Sequence, residues 1–282
     1  MMRGLVHKKQ ADQFDVELEN GEILACVARK ILKKDGIFVG DYVFLDEDNA
    51  ICKIDKRKNI LIRPPMANID KMFIVVAPVP KPDFYTVDKM ILFCKLNNIV
   101  PHICINKNDL DEVACKEIEA LYKGIAKTFV FSSLDESVQV LIEELDGICV
   151  LAGQSAVGKS SIINALKKEV LAKVDTFSKK IERGKQTTRT VQIYKFGKRK
   201  YLADTAGFSK LDESLLQLKE NEIKDYYDDF LEFASECKYK SCLHLSDKDC
   251  GVCRAVKEKK ISQERYKNYK KLLETIKMIK RF

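Results

Sequence analysis

The chain has 282 residues, 46% of them apolar and 33% charged, with ten cysteines and a formal net charge of +8. That length leaves room for two or three units, none of which needs disulfides to hold a core. No window of about 18 apolar residues occurs and the opening MMRGLVHKKQADQ has no apolar signal core, which argues against a spanning helix and against secretion and predicts a cytoplasmic protein.

Residues 11–63 alternate short β-favouring runs with turn signals: FDVEL, then Asn20-Gly21, then ILACVA, GIFVGDYVFL and AICKI. They predict a small all-β unit of about five strands, a size that suits an OB-type barrel, and an SH3-like barrel as well. Arg63-Pro64-Pro65 breaks the pattern and reads as a linker. From residue 72 the apolar runs MFIVVAPV, VPHICIN, TFVFSS and GICVLAG alternate with helix-length segments such as 84–97 and 111–123. Such alternation predicts a parallel sheet with helices on both faces. After Phe208 the chain turns mainly helical, interrupted by a Cys/His cluster between 237 and 253.

Within the α/β region, Asn106-Lys107-Asn108-Asp109 follows the strand-like HICI. A carboxylate at Asp109 can accept from guanine's ring N–H and exocyclic amine together, a donor pair adenine lacks. Lys107 would lay its stem over the purine and Asn106 would brace the loop; for the tetrapeptide taken alone, the plain alternative is a helix N-cap at Asp109. One strand–helix–strand step later, Ser132 and Ser133 would offer backbone N–H groups to guanine O6. Gly153-Gln154-Ser155-Ala156-Val157-Gly158-Lys159-Ser160, with Ser161 next, fits G-x-x-x-x-G-K-[ST] between a strand and an amphipathic helix. Its backbone N–H groups would cradle phosphate oxygens at a helix N-terminus. Lys159 would bridge β- and γ-phosphates, and the Ser160 hydroxyl would ligate Mg²⁺.

Between 182 and 190 lies the polar loop ERGKQTTRT, where Thr187 or Thr188 would complete the Mg²⁺ shell. Asp204-Thr205-Ala206-Gly207 follows the strand RKYLA, so Asp204 would hold Mg²⁺ through water and the Gly207 N–H would meet the γ-phosphate. Further on, Cys237, Cys242, His244 and Cys250 supply three thiols and an imidazole, a set suited to one structural Zn²⁺, with Cys253 as a competing fourth ligand. The six scattered cysteines read as small buried hydrophobes. Residues 252–282 carry eleven Lys/Arg against three Glu, so the basic surplus is one terminal segment, either a solvated helix face or a contact for RNA phosphates. Tyr266 and Tyr269 in that segment suit base stacking, or packing on their own unit.

The motif order is base loop, second base loop, phosphate loop, threonine loop, D-x-x-G: a cyclic shift of the Ras-like order. Domain ends often lie close together, so permutation preserves the site. With VGDYV (39–43), RPPMANID (63–70), NKND, GQSAVGKSS, DTAGF (204–208) and CKYKSCLH (237–244), the chain resembles the bacterial ribosome small-subunit-dependent GTPase family, RsgA or YjeQ. The resemblance implies an OB-like β-barrel over 1–65, a circularly permuted α/β P-loop GTPase domain over 66–215, and a helical zinc-binding domain with a basic tail over 216–282.

It also implies a monomer that binds GTP and GDP and contacts the small ribosomal subunit and its rRNA. GTP hydrolysis would be stimulated by the subunit during its late maturation. By alignment Thr188 is the Mg²⁺ ligand and Cys250 the fourth zinc ligand. Gln186 stands where the family has a histidine acting on the attacking water, and an amide can still orient water. Ala206 replaces the family's proline. Arg183 and Arg189 are the candidate internal arginine fingers. Two rival readings are an RNA-binding factor with GTP as a mere switch ligand, and an ATP-using P-loop enzyme, which Asp109 disfavours.

Overall fold

The computed structural model describes residues 1–33, 36–62, 65–173, 191–204, 218–245 and 248–279. The first five strands are β1 (Met2–Gln10), β2 (Gln13–Leu18), β3 (Ile23–Val27), β4 (Tyr42–Leu45) and β5 (Ile51–Ile54). β1 pairs antiparallel with both β2 and β4, β2 pairs with β3, and β4 with β5. A parallel bridge from Ala28 to Ile51 then closes the ring. This is the five-stranded OB-like barrel, packed around Val6, Phe14, Val16, Val43, Leu45 and Ile51. In β4 the buried Val43 and Leu45 alternate with the half-buried Tyr42 and Phe44, as period-two patterning requires.

The β-favouring runs of the sequence begin at residue 11, inside a barrel expected over 1–65, and predict one long β segment over 36–45. β1 starts at Met2 instead, and the second segment contributes only β4. Of the expected linker 63–65, residues 63–64 lie outside the described residues, and Pro65 opens β7 (Pro65–Ala67), which pairs antiparallel with β6 (Ile60–Ile62).

The central sheet runs in the order β10 (Lys127–Val130), β9 (Val100–Ile105), β8 (Ile69–Val76), β11 (Gly147–Ala152), β13 (Lys200–Asp204), all parallel, with β12 (Gln192–Gly197) antiparallel at the far side. Its helices are α1 (Phe84–Leu96), α2 (Glu112–Tyr122), α3 (Val140–Glu144) and α4 (Lys159–Lys173). Met72, Ile74 and Val76 of β8 pack with α1 and α2, whereas Phe73 and Val75 pack with α3 and α4. Both faces are therefore covered, which is why these strands read as continuous apolar runs. The chain passes outward from β8 to β9 and β10, then returns to β11 on the other side of β8. That reversal is a topological switch point, and the loops that follow the parallel strands meet there.

β1 also pairs with β12 at Lys8 and Gln192, which joins the barrel to the central sheet. At this seam the buried Glu17 carboxylate meets Lys195, and its Oε2 lies 2.6 Å from His7 Nε2. The C-terminal unit comprises a helical turn at Ile223–Tyr226, then α5 (Asp228–Ala234), α6 (Gly251–Lys257) and α7 (Gln263–Ile279). Its core of Ile223, Phe230, Val252, Tyr269 and Leu273 also takes in Leu92 from α1. Among the described residues no helix is long and apolar enough to cross a membrane. Five of the six scattered cysteines are buried and the sixth, Cys52, is partly buried.

Candidate functional site

The loop 153–158 leaves β11 and ends at the first residue of α4. Gly153 has φ +136°, and a Cβ there would lie 2.2 Å from the Val75 carbonyl oxygen. Gly158, at φ +98°, leaves a Cβ no room either, since it would stand 2.3 Å from Asn106 Nδ2. Both glycines are thus required by conformation and by close approach. Lys159 Nζ donates to the carbonyls of Gly153 at 2.8 Å and Gln154 at 2.6 Å. Burial lowers its pKa, against the pull of Asp204. The register pairs Leu151 with Asp204, and Ser160 Oγ lies 3.4 Å from Asp204 Oδ2.

The base loop is joined directly to this phosphate loop. Asn106, fully buried, donates from Nδ2 to the Val157 carbonyl at 2.9 Å and accepts at Oδ1 from the Ser133 N–H at 2.9 Å. Lys107, at φ +66°, donates to the carbonyls of Ala156 and Val79, each at 2.8 Å. Asp109 Oδ1 accepts from Ser132 Oγ at 2.5 Å, which fixes one carboxylate oxygen and leaves the other for a ligand donor. The N-cap of α2 is Asp111, whose side chain accepts from the Ala114 N–H, so Asp109 is not a cap.

One sequence expectation changes here. The Ser132 N–H is taken by Ser137 Oγ at 3.0 Å and the Ser133 N–H by Asn106, so neither points out toward guanine O6. Ser132 instead orients Asp109, and Ser133 orients Asn106.

Three polar contacts escaped the sequence reading. Gln154 Oε1 accepts from the Asp83 N–H at 3.1 Å, Val79 receives Lys107, and Ser137 receives Ser132. The available signal was APVPKPD, three prolines in six residues directly after β8, where a ligand-side loop belongs. Arg183, Gln186, Thr187, Thr188, Arg189, Thr205, Ala206, Gly207 and Phe208 lie outside the described residues.

In the C-terminal unit, ligand atoms of Cys237, Cys242, His244 and Cys250 lie within 4.8 Å of one another. The sulfurs of Cys237 and Cys250 are 3.8 Å apart, and each is 3.5 Å from His244 Nδ1. A tetrahedron with metal–sulfur and metal–nitrogen bonds of zinc length has edges of about 3.8 and 3.5 Å, so these atoms fit one ion. Burial, helped by Lys224, pushes the His244 pKa down to about 4, which keeps the imidazole neutral and able to ligate. The N–H groups of His244 and Cys253 donate to the sulfurs of Cys242 and Cys250, each at 3.4 Å, which favours thiolates. Cys253 Sγ itself turns to Tyr266 Oη at 3.3 Å and to the His244 carbonyl, so Cys250 completes the set.

The pattern of the family described as RsgA GTPase matches residues 54–214. The chain is 37% identical to the small ribosomal subunit biogenesis GTPase RsgA of Bacillus anthracis, over 98% of each chain. It is 35% identical to the protein of that name from Caldanaerobacter subterraneus, over 98% of this chain and 96% of the relative. Among solved structures, YjeQ from Thermotoga maritima superposes with a TM-score of 0.79 at 31% identity, over 98% of each chain. YloQ, described as a circularly permuted GTPase, does so at 0.78 and 30% identity, over 98% of this chain and 95% of that one.

Proposed function

The chain belongs to the RsgA GTPase family, and from that premise we propose that it binds the small ribosomal subunit and hydrolyses GTP in late subunit maturation, faster on the subunit than alone. The observation that carries the reading is the joint between the two loops: Asn106 on Val157 and Lys107 on Ala156 bring the base loop and the phosphate loop together as one site. Asp109 then selects guanine, while Lys107 spans from base to phosphate loop with its ammonium held. The N–H groups of 153–161 and the Lys159 ammonium bind the phosphates.

Ser160 and Thr188 are the proposed ligands of Mg²⁺, with Asp204 behind Ser160; the ion supplies charge neutralisation at the phosphates. Gln186 would orient the attacking water, and the Gly207 N–H would donate to the γ-phosphate. Catalysis of this kind is positioning and electrostatics, with no covalent intermediate. We assign structural zinc to Cys237, Cys242, His244 and Cys250, because four protein ligands leave no place for a reacting water. The proposed units are 1–65, 66–215 and 216–282, a division supported by the barrel, the central sheet and the helical tail. The barrel and the basic C-terminal unit are the proposed rRNA contacts, which suits the GTP-dependent placement of a cytoplasmic monomer on the subunit. The test is GTP turnover with and without purified small subunits; equal rates would remove the ribosomal role.

A further inference from the structure

The loop that leaves β8 touches both halves of the proposed nucleotide site. Its Val79 carbonyl accepts from Lys107 of the base loop, and its Asp83 N–H donates to the Gln154 side chain of the phosphate loop. Asp83 is also the N-cap of α1, accepting from the Thr86 N–H and hydroxyl. α1 is thirteen residues long, so a displacement at its first turn is carried about 20 Å as a rigid element.

Along that length α1 is fastened to the C-terminal unit at three levels. Near its start, Tyr85 Oη lies 3.0 Å from Thr275 Oγ1 of α7. In its middle, the buried Asp88 carboxylate accepts from Arg265 and, at 2.8 Å, from Asn268 Nδ2; the same arginine makes two bonds of 3.0 Å to Asp229 of α5. At its end, Lys95 Nζ donates to the Tyr226 carbonyl at 2.8 Å and pairs with Asp228 at 2.6 Å. Leu92 fills the core of the C-terminal unit between these levels. Breaking a buried, fully bonded ion pair is strongly disfavoured, so α1 and α7 move together. The first turn of α1 nevertheless borders a cleft of about 680 Å³ against α2 and α7, lined by Phe84, Ile118 and Lys267 among others, which gives it room to shift.

We propose that the loop 77–83 and α1 make the metal-binding C-terminal unit sense occupancy of the nucleotide site, responding to GDP as well as to GTP. This rests on the reading that the base and phosphate loops hold one guanine nucleotide. Its two contacts, Lys107 and Gln154, belong to the groups that meet the base and the inner phosphates, which both nucleotides possess. A phosphate that draws the Lys159 ammonium off the Gln154 carbonyl changes the residue whose side chain holds the N-cap of α1. The route is distinct from one through the segment after Asp204, which would follow the γ-phosphate. Energetically it is a coupling between two sites through a shared rigid element, and must be reciprocal.

The experiment is amide hydrogen exchange on the full chain with no nucleotide, with saturating GDP and with a non-hydrolysable GTP analogue. Exchange in α7 should slow about fivefold with either nucleotide, a coupling of about 1 kcal/mol. Tyr85→Phe and Lys95→Met combined with Asp88→Asn, which leaves Arg265 its bonds to Asp229, weakens the fastening at all three levels of α1 and should reduce the α7 response below about twofold. Protection of the loop 153–158 itself should persist in that variant. GDP that binds in a fluorescence titration yet leaves α7 unchanged would overturn the proposal, as would slowing by the analogue alone. Absence of GDP binding in that titration would instead overturn the site reading beneath it.

Discussion

Gly158→Ala tests the joint between the base loop and the phosphate loop most directly. The new methyl would stand 2.3 Å from Asn106 Nδ2, on a residue at φ +98°. The backbone conformation alone costs a non-glycine residue about 1–2 kcal/mol. Asn106 must also retreat, breaking the bond to the Val157 carbonyl and straining the one from the Ser133 N–H; a buried group left without its partner costs about 1–3 kcal/mol. Together these cost the joint about 3 kcal/mol; a loop that relaxes to escape that cost must be pulled back when nucleotide binds, so the Kd for guanine nucleotide rises by up to roughly 150-fold. Asn106→Ala removes the same two bonds by another route, so the two effects overlap. A double-mutant cycle on nucleotide affinity should return a coupling of about 1–3 kcal/mol, with urea melts of each variant separating folding losses from binding losses. If the double variant loses the sum of the singles to within about 0.5 kcal/mol, Asn106 is not what joins the loops, and the reasoning fails.

Asp109→Asn should exchange guanine preference for xanthine, because the amide presents a donor where the carboxylate accepted; competition binding with the two nucleoside diphosphates reads it. Cys250→Ala should abolish stoichiometric metal binding and loosen the loop 237–250, whereas Cys253→Ala should keep the ion; metal analysis on the purified proteins decides between them. His102 is buried with both ring nitrogens unpartnered, and burial, with Lys71 nearby, lowers its pKa to about 4. The unfolded chain then binds a proton that the folded one refuses between about pH 6.5 and pH 4. Its contribution is therefore intact above pH 6.5 and lost as pH falls through that window, by at most about 3 kcal/mol. His102→Leu should flatten the fall in urea midpoint between pH 7 and pH 4.5, and an unchanged slope would refute the assignment.

What was legible in the sequence depended on how local each signal is. The phosphate loop, the base tetrapeptide and the Cys/His cluster are short runs whose glycines, carboxylate and thiols can be read one by one, and the alternating apolar runs predict the parallel sheet. β1 escaped because its burial does not alternate: Gly4, Leu5, Val6 and His7 are all buried, since the strand is flanked by β2, β4 and β12 and covered on both faces. Period-two reasoning needs one wet face. The Ser132 and Ser133 N–H groups were misread for a different reason. Their acceptors, Ser137 Oγ and Asn106 Oδ1, are side-chain atoms placed by the fold, and no propensity encodes them. The Asp83–Gln154 contact is further still from local pattern, joining residues 71 apart.

The tyrosines of α7 show how a correct compositional observation can carry two meanings and how geometry separates them. Tyr269 is fully buried and donates to the Leu243 carbonyl at 2.8 Å, so it cannot stack on a base. Tyr266 donates to the His244 carbonyl at 2.8 Å, and Lys224 reaches the carbonyls of Lys240 and Cys242 at 3.0 Å each. Four bonds therefore hold the backbone around the metal ligands from outside the cluster. Lys271 lies over the Tyr85 ring at 4.2 Å, whereas the exposed Lys267 is left to make contacts with solvent or with phosphates. Metal loss thus acts on a loop that keeps part of its scaffold. Because α7 is anchored to α1 through Arg265 and Asn268, removing the ion should loosen the backbone around the metal ligands while leaving the α1–α7 seam in place.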